Sequence, residues 1–273
     1  MPKKSEMVEG YLKPKKIFLE GYKSQVESGC RLLDIPTQCF YERDIPRLVK
    51  SGEMTPFTPV KGTVKTVRTY FHHVGIKQPK NVDIPEELRT MKFCGRKFYD
   101  GMTLGKIRRM PEKERSKLFI KARDIQKAWS GSNAADDLLQ NTGLFPDSTP
   151  VFCCDYKENL NENYYCHVRE GKIIDNVDQK IEKFIEQAIK TWTKNVHSAY
   201  RIDIGEINDK LVITELNEVW SSGRSVFSKI EQNWDHFDYY NPKRQELEKN
   251  WRNKTNTEAV LLLLARWKDF KLV

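Results

Sequence analysis

Residues 201–220, RIDIGEINDKLVITELNEVW, narrow the folds open to this chain more than any other stretch. Apolar and polar side chains alternate on both sides of the short break EINDK, as they do in strands that each bury one face. The pattern predicts strands over 200–204 and 211–216. On the second, Glu215 and Asn217 are two residues apart and share a face, with Leu216 pointing the other way. On the first, Asp203 is the polar member between Ile202 and Ile204. If the two strands pair as a hairpin, Asp203 comes beside Glu215 and Asn217, and three oxygen donors converge. Hard oxygen donors suit magnesium, which keeps several waters and takes its remaining ligands from substrate phosphates. The motif therefore points to a metal–nucleotide site.

The rest of the chain is compatible with such a site. Its 273 residues suffice for two or three lobes around a cleft. No apolar run approaches the roughly 20 residues needed to span a bilayer, and the longest, 259–265, is far too short. The opening MPKKSEMVEG has charge but no apolar stretch after it, so the expectation is a cytoplasmic protein with no membrane partner. Six scattered cysteines (Cys30, Cys39, Cys94, Cys153, Cys154 and Cys166) form no zinc-type pairs and read as reduced thiols packed as small hydrophobes. A net charge of +9 favours anionic partners. ATP and an acidic substrate are preferred over nucleic acid, because the basic residues are dispersed apart from small clusters at KPKK (Lys13 to Lys16) and KIRR (Lys106 to Arg109).

Along the chain, TPFTPVKG reads as a turn-rich connection after the first 50 or so residues. Val64, Val67, Tyr70, Phe71 and Val74 recur at helical spacing, with Gly75 as a stop. A short turn follows Pro85, and KFCGRKFY reads as a strand interrupted at Gly95. Leu118, Phe119 and Ile120 predict a buried strand whose end delivers Lys121 to an exposed rim. A second apolar strand covers 151–154, and ENYYCHV with GKIID reads as a strand pair turning near Gly171. From Val177 to Trp192, apolar residues recur every three or four positions, the stripe of an amphipathic helix. The C-terminal part is helical.

Taken in order, FIK at Phe119 to Lys121, VFCC at Val151 to Cys154, DIG at Asp203 and ELNEVWSSG from Glu215 resemble the ATP-grasp superfamily. In particular they resemble its phage- and virus-rich clade, with FIKP-like and ELNxxWSSG-like motifs. The resemblance spans roughly residues 55 to 225 and implies an α+β, ATP-grasp fold. It divides the chain into a pre-grasp-like α/β lobe over 1–90, a nucleotide- and metal-binding region over 91–225, and a helical segment over 226–273 packing on that region. The nucleotide cleft lies between lobes. It further implies that Lys121 contacts the phosphates and that Asp203, Glu215 and Asn217 hold Mg2+. The hinge strand then places Cys153, Cys154 and Asp155 near the base or ribose, and the loop Ser130, Gly131, Ser132 covers the phosphates. A second basic residue of the family pattern is Arg96 or Lys97, a choice the sequence leaves open.

The chain departs from the pattern at two points. Ala122 stands where proline often follows FIK, and Tyr164 or Tyr165 stands where an arginine is expected. Contact with the transferred phosphoryl group then falls to Arg169, Lys172 or Arg224. KARD at Lys121 is not the lysine motif of nucleotidyl-transferring ligases, since Ile125 replaces the required glycine. The activity implied is an ATP- and magnesium-dependent carboxylate–amine ligase working through an acyl phosphate, with a peptide or protein among the acceptors considered. A kinase on the same scaffold and a basic nucleic-acid-binding protein with a degenerate ATP site are the alternatives, and host cytoplasm is the expected location if the source is viral.

Overall fold

The structure, a computed structural model, describes residues 7–8, 11–21, 25–77, 82–123, 142–143, 145–175, 177–195, 197–219 and 242–269. Short strands β1 (Met7–Val8) and β2 (Tyr11–Leu12) form an antiparallel pair. Then come β3 (Ile17–Glu20), α1 (Gln25–Leu32), β4 (Thr37–Phe40), α2 (Ile45–Lys50) and β5 (Val60–Lys61), which build a parallel sheet of order β4-β3-β5. Ile17 and Phe18 are sealed on both faces, as continuous apolar runs in parallel sheets are. Helix α3 (Val64–His73) follows, begun by the Thr63 hydroxyl accepting from the Thr66 amide and closed at Gly75 with φ +72°.

The stretch KFCGRKFY corrects its reading as a strand. Met91–Cys94 form a short helix, α4, because Thr90 caps it through the Phe93 amide and Gly95 ends it in the left-handed region. A side chain at Gly95 would lie 2.9 Å from Val212. After α5 (Leu104–Arg108) and α6 (Glu112–Arg115), strands β6 (Leu118–Ala122) and β7 (Val151–Asp155) pair antiparallel, Lys121 opposite Phe152.

The larger antiparallel sheet has the order β11-β10-β8-β9, from β8 (Asn161–Arg169), β9 (Lys172–Ile173), β10 (Ala199–Ile207) and β11 (Lys210–Asn217). The turn joining β10 to β11 is tighter than EINDK: only Asn208 and Asp209 lie outside the strands, both with positive φ, as two-residue hairpins require. Helix α7 (Gln179–Thr191), capped by Asp178, lays Ile181, Ile185 and Ala188 against Cys166, Tyr200, Ile202 and Leu216 on one face of this sheet. The other face is left for polar side chains.

Helix α8 (Pro242–Lys268) packs its apolar end, Ala259 to Trp267, into the core of the parallel sheet with Ile17, Leu48 and Phe71. Its backbone passes so close to α1 that a Cβ on Gly29 would sit 1.9 Å from the Asn256 carbonyl oxygen. Polar ties run from α8 to the larger sheet: Arg169 meets Glu258 at 3.0 Å, and Arg266 meets Glu218 at 2.6 Å. Among the described residues, no helix is long and apolar enough to cross a membrane.

Candidate active site

The hairpin brings the three predicted oxygen donors together. Asp203 pairs directly with Glu215, and the Asn217 amide nitrogen donates to Asp203 Oδ2 at 2.7 Å and to Glu215 Oε2 at 3.0 Å. A β-bulge helps to set this geometry. Ile204 pairs with Ile213, so Thr214 is left without an opposite residue, and the ladder resumes at Asp203 and Glu215. The Thr214 carbonyl turns out of register and accepts from Arg96 Nη2. Arg96 rather than Lys97 thus faces the strand that carries Glu215. It is 5 % exposed, between the rings of Phe98 and Phe119, and its Nε has no partner among the described residues.

Lys121 is corrected from an exposed rim to a buried position. Its side chain is 10 % exposed, with Nζ 2.9 Å from Asp83 Oδ1, 3.5 Å from Glu215 Oε1 and 4.9 Å from the centre of the Phe152 ring. The strand alternation that buries Ile120 turns Lys121 to the opposite face, but β7 and the Asp83 segment wall that face in. Burial opposes the ammonium charge. The Asp83 and Glu215 carboxylates more than offset it, holding the lysine above its ordinary range.

Sequence reasoning misses Arg201. It is two residues before Asp203, hence on the same face, and its Nη2 donates to Asp203 Oδ2 at 2.7 Å while its guanidinium lies over the Tyr165 ring. The RxD spacing is the available signal. Burial pushes the Asp203 carboxyl up, Arg201 and Asn217 pull it down, Glu215 adds to the rise, and it ends above the ordinary range. Asp203 Oδ1 is buried with no hydrogen-bond partner among the described residues. An orphaned carboxylate oxygen is costly to keep, so the atom fits a missing cationic ligand. The donor set, two carboxylates and an amide carbonyl, is the hard-oxygen chemistry that magnesium takes. The same hairpin face continues through Tyr165 to His167, whose Nδ1 lies 3.0 Å from Asp175 Oδ2.

The remaining predicted residues lie apart from this cluster or outside the described residues. Arg169 is on β8, and its guanidinium is engaged with Glu258 of α8. Lys97 points its amine over Tyr99. Cys153 and Cys154 are buried in β7, which is flanked by β6 and by residues 97–99, and the Cys153 carbonyl accepts from the Tyr99 amide. Asp155 accepts from the Tyr99 hydroxyl at 2.9 Å and from the Lys97 amide at 3.2 Å. All six cysteines are free and five are buried, with burial pushing the Cys153 thiol up to about 12 and Cys154 to about 11. They are inert as nucleophiles at neutral pH. Ser130, Gly131, Ser132 and Arg224 lie outside the described residues.

A buried lysine facing two carboxylates and an amide on an antiparallel hairpin, beside a small two-stranded sheet, fits the ATP-grasp class of fold. The chain belongs to an ATP-grasp domain family, the one numbered second in its clade, whose model matches residues 93–231. No curated protein matches it. Among solved structures it is similar to the D-alanine–D-alanine ligase of Bacillus anthracis, at 8% identity over 92% of this chain and 97% of that one, with a TM-score of 0.42. It is also similar to the macrocyclase MdnC of Microcystis aeruginosa bound with its precursor peptide MdnA, at 9% identity over 91% and 99%, with a TM-score of 0.43. A third is the N5-carboxyaminoimidazole synthase of Aspergillus clavatus, at 10% identity over 75% and 70%, with a TM-score of 0.39.

Proposed function

We propose that this protein is an ATP- and magnesium-dependent ligase that joins a carboxylate to an amine through an acyl phosphate. The observation that carries the reading is the buried, partnerless Asp203 Oδ1 in a cradle with Glu215 and Asn217, within reach of a lysine. Asp203, Glu215 and the Asn217 side-chain carbonyl would hold the metal, once the amide has rotated away from its present role as donor. Magnesium, when bound there, supplies positive charge that screens the nucleotide phosphates.

The chain's own residues do the rest by position and charge. Lys121 exchanges its contact with Glu215 for a phosphate oxygen, while Asp83 keeps it protonated and anchored. Arg96 offers the unpartnered Nε to the phosphate chain. Arg201, fixed by Asp203 and the Tyr165 ring, faces the transferred phosphoryl group, the role for which a β8 arginine is missing. A carboxylate oxygen of the substrate attacks the γ-phosphorus and ADP leaves. The amine nitrogen then attacks the acyl carbon, the carbon–oxygen bond breaks, phosphate departs and the amine loses a proton. No protein nucleophile takes part, so catalysis rests on electrostatics and alignment. The substrates are a carboxylate and an amine, a peptide or protein among them.

Calorimetric titration of ATP with magnesium into the parent chain and a Glu215→Ala, Asn217→Ala double variant tests the site. Micromolar-range, metal-dependent binding that vanishes in the variant is the expected result. A folded parent chain that binds no nucleotide refutes the reading. ADP release that depends on both an acid and an amine, with a new amide among the products, tests the ligation.

A further inference from the structure

The turn-rich string TPFTP plays no part in the nucleotide site, yet it shapes a second concavity. Residues 52–58 face residues 12–16 across a groove of about 670 Å³, within the range of roughly 300–1,000 Å³ usual for ligand pockets. None of Lys121, Asp203, Glu215 and Asn217 lines it. Two of the large apolar side chains that stay exposed on this protein meet there: Phe57, 63 % exposed, and Leu12, 43 % exposed. Apolar surface gathered in a polar-rimmed concavity marks an interaction site, whereas scattered apolar residues do not.

The exposure of Phe57 is built into its loop. The Thr55 amide donates to Thr58 Oγ1 at 3.0 Å and the Phe57 amide to Thr55 Oγ1 at 3.3 Å. The Tyr70 hydroxyl reaches the Thr55 and Thr58 carbonyls at 2.6 and 2.9 Å, and Pro56 and Pro59 fix the backbone on either side. The ring is therefore held outward on a rigid rim, with little ordering left to be done on binding.

Charge accounting identifies the occupant. Lys13 is paired with Asp34 at 3.2 Å, and Glu53 is offset by Arg47 at 3.8 Å. Lys16 donates only to the neutral Gln38 side chain, and the exposed Lys15 has no partner among the described residues. Two cations stay uncompensated beside an apolar floor. Lys13 to Lys16 span no more than about 14 Å even when extended. That is too short for the succession of phosphate contacts on which nucleic-acid affinity is built.

We propose that this groove docks an acidic peptide segment, seating an apolar side chain against Phe57 and Leu12 while flanking carboxylates face Lys15 and Lys16. The segment belongs to a partner or substrate of this protein, and the proposal stands whether or not the nucleotide site is active.

The test is fluorescence anisotropy on the full chain, using a fluorescein-labelled peptide in which Leu-Phe is flanked on each side by two acidic residues. Saturable binding at near-physiological salt is expected. A Lys15→Glu, Lys16→Glu variant should weaken it about tenfold, two ion pairs being replaced by repulsion, and Phe57→Ser by a similar factor through lost apolar contact. A Lys106→Glu, Lys113→Glu variant of the same net charge should bind like the parent. The proposal is overturned if that control loses as much affinity, if oligothymidylate of equal charge competes as well as the peptide, or if the folded parent does not bind.

Discussion

Replacing Arg266 by methionine should destabilise the protein by about 3–5 kcal/mol, the usual cost of removing one partner from a buried ion pair. The guanidinium donates through Nε and Nη2 to the two oxygens of Glu218, each at 2.6 Å, and through Nη1 to Asp269 at 2.8 Å. Side-chain exposures of 3 % for Arg266 and 1 % for Glu218 leave water no route to take over these bonds. Burial works against the arginine's charge, but Glu218 and Asp269 hold it firmly protonated. Once Arg266 is gone, Glu218 must either stay charged without a counter-ion or take up a proton. The variant's deficit should therefore shrink as pH falls and grow as pH rises, because the folded state then binds the extra proton. Urea unfolding followed by circular dichroism measures the loss. Adding Glu218→Met should restore about 2 kcal/mol or more of it, since an apolar pair of similar volume no longer strands a charge. A single variant within about 1 kcal/mol of the parent, or a double variant no more stable than the single one, refutes the reasoning.

Other perturbations have equally definite outcomes. His197 is held down to about 4, by burial first and then by Arg266, so the unfolded chain takes up its proton near pH 6.5 before the folded one does. Stability should fall by about 3 kcal/mol as pH drops from about 6.5 to 4, and His197→Asn should flatten that slope in urea unfolding. Arg201→Ala removes a charge that pulls the Asp203 carboxyl down, so the acid limb of magnesium–ATP binding should move to higher pH in calorimetric titrations; an unmoved limb disproves the coupling. Gly29→Ala puts a methyl group 1.9 Å from the Asn256 carbonyl oxygen, and forcing α1 and α8 apart should cost upwards of about 3 kcal/mol, read as a lowered urea midpoint.

Much of the larger sheet and its metal cradle was legible in the sequence because both depend on a period of two. Once Asp203 alternates with Ile202 and Ile204, and Glu215 with Leu216, only the pairing remains to be supplied. Arg201 obeys the same alternation, yet an arginine on a strand face reads as ordinary surface charge until its carboxylate is seen beside it. Asp83 carries no local signal at all. It joins Lys121 from an irregular segment, and a contact across that much sequence leaves no periodicity to detect. The strand expected over KFCGRKFY failed for the opposite reason: a threonine cap and a left-handed glycine outweighed β-favouring aromatic residues. The bulge at Thr214, which frees a carbonyl for Arg96, follows from pairing between strands and cannot be read from either strand alone.

The placement of α8 has a consequence for how the chain assembles during synthesis. The core around Ile17, Phe18, Leu48 and Phe71 is closed by residues 259–267, which leave the ribosome only after the whole family-matching region has emerged. The hairpin sheet and its helix α7 have a core of their own and can close first. The earliest residues made are thus among the last to be covered, and their apolar surface must wait, open to chaperones or to mispairing, until the final helix arrives.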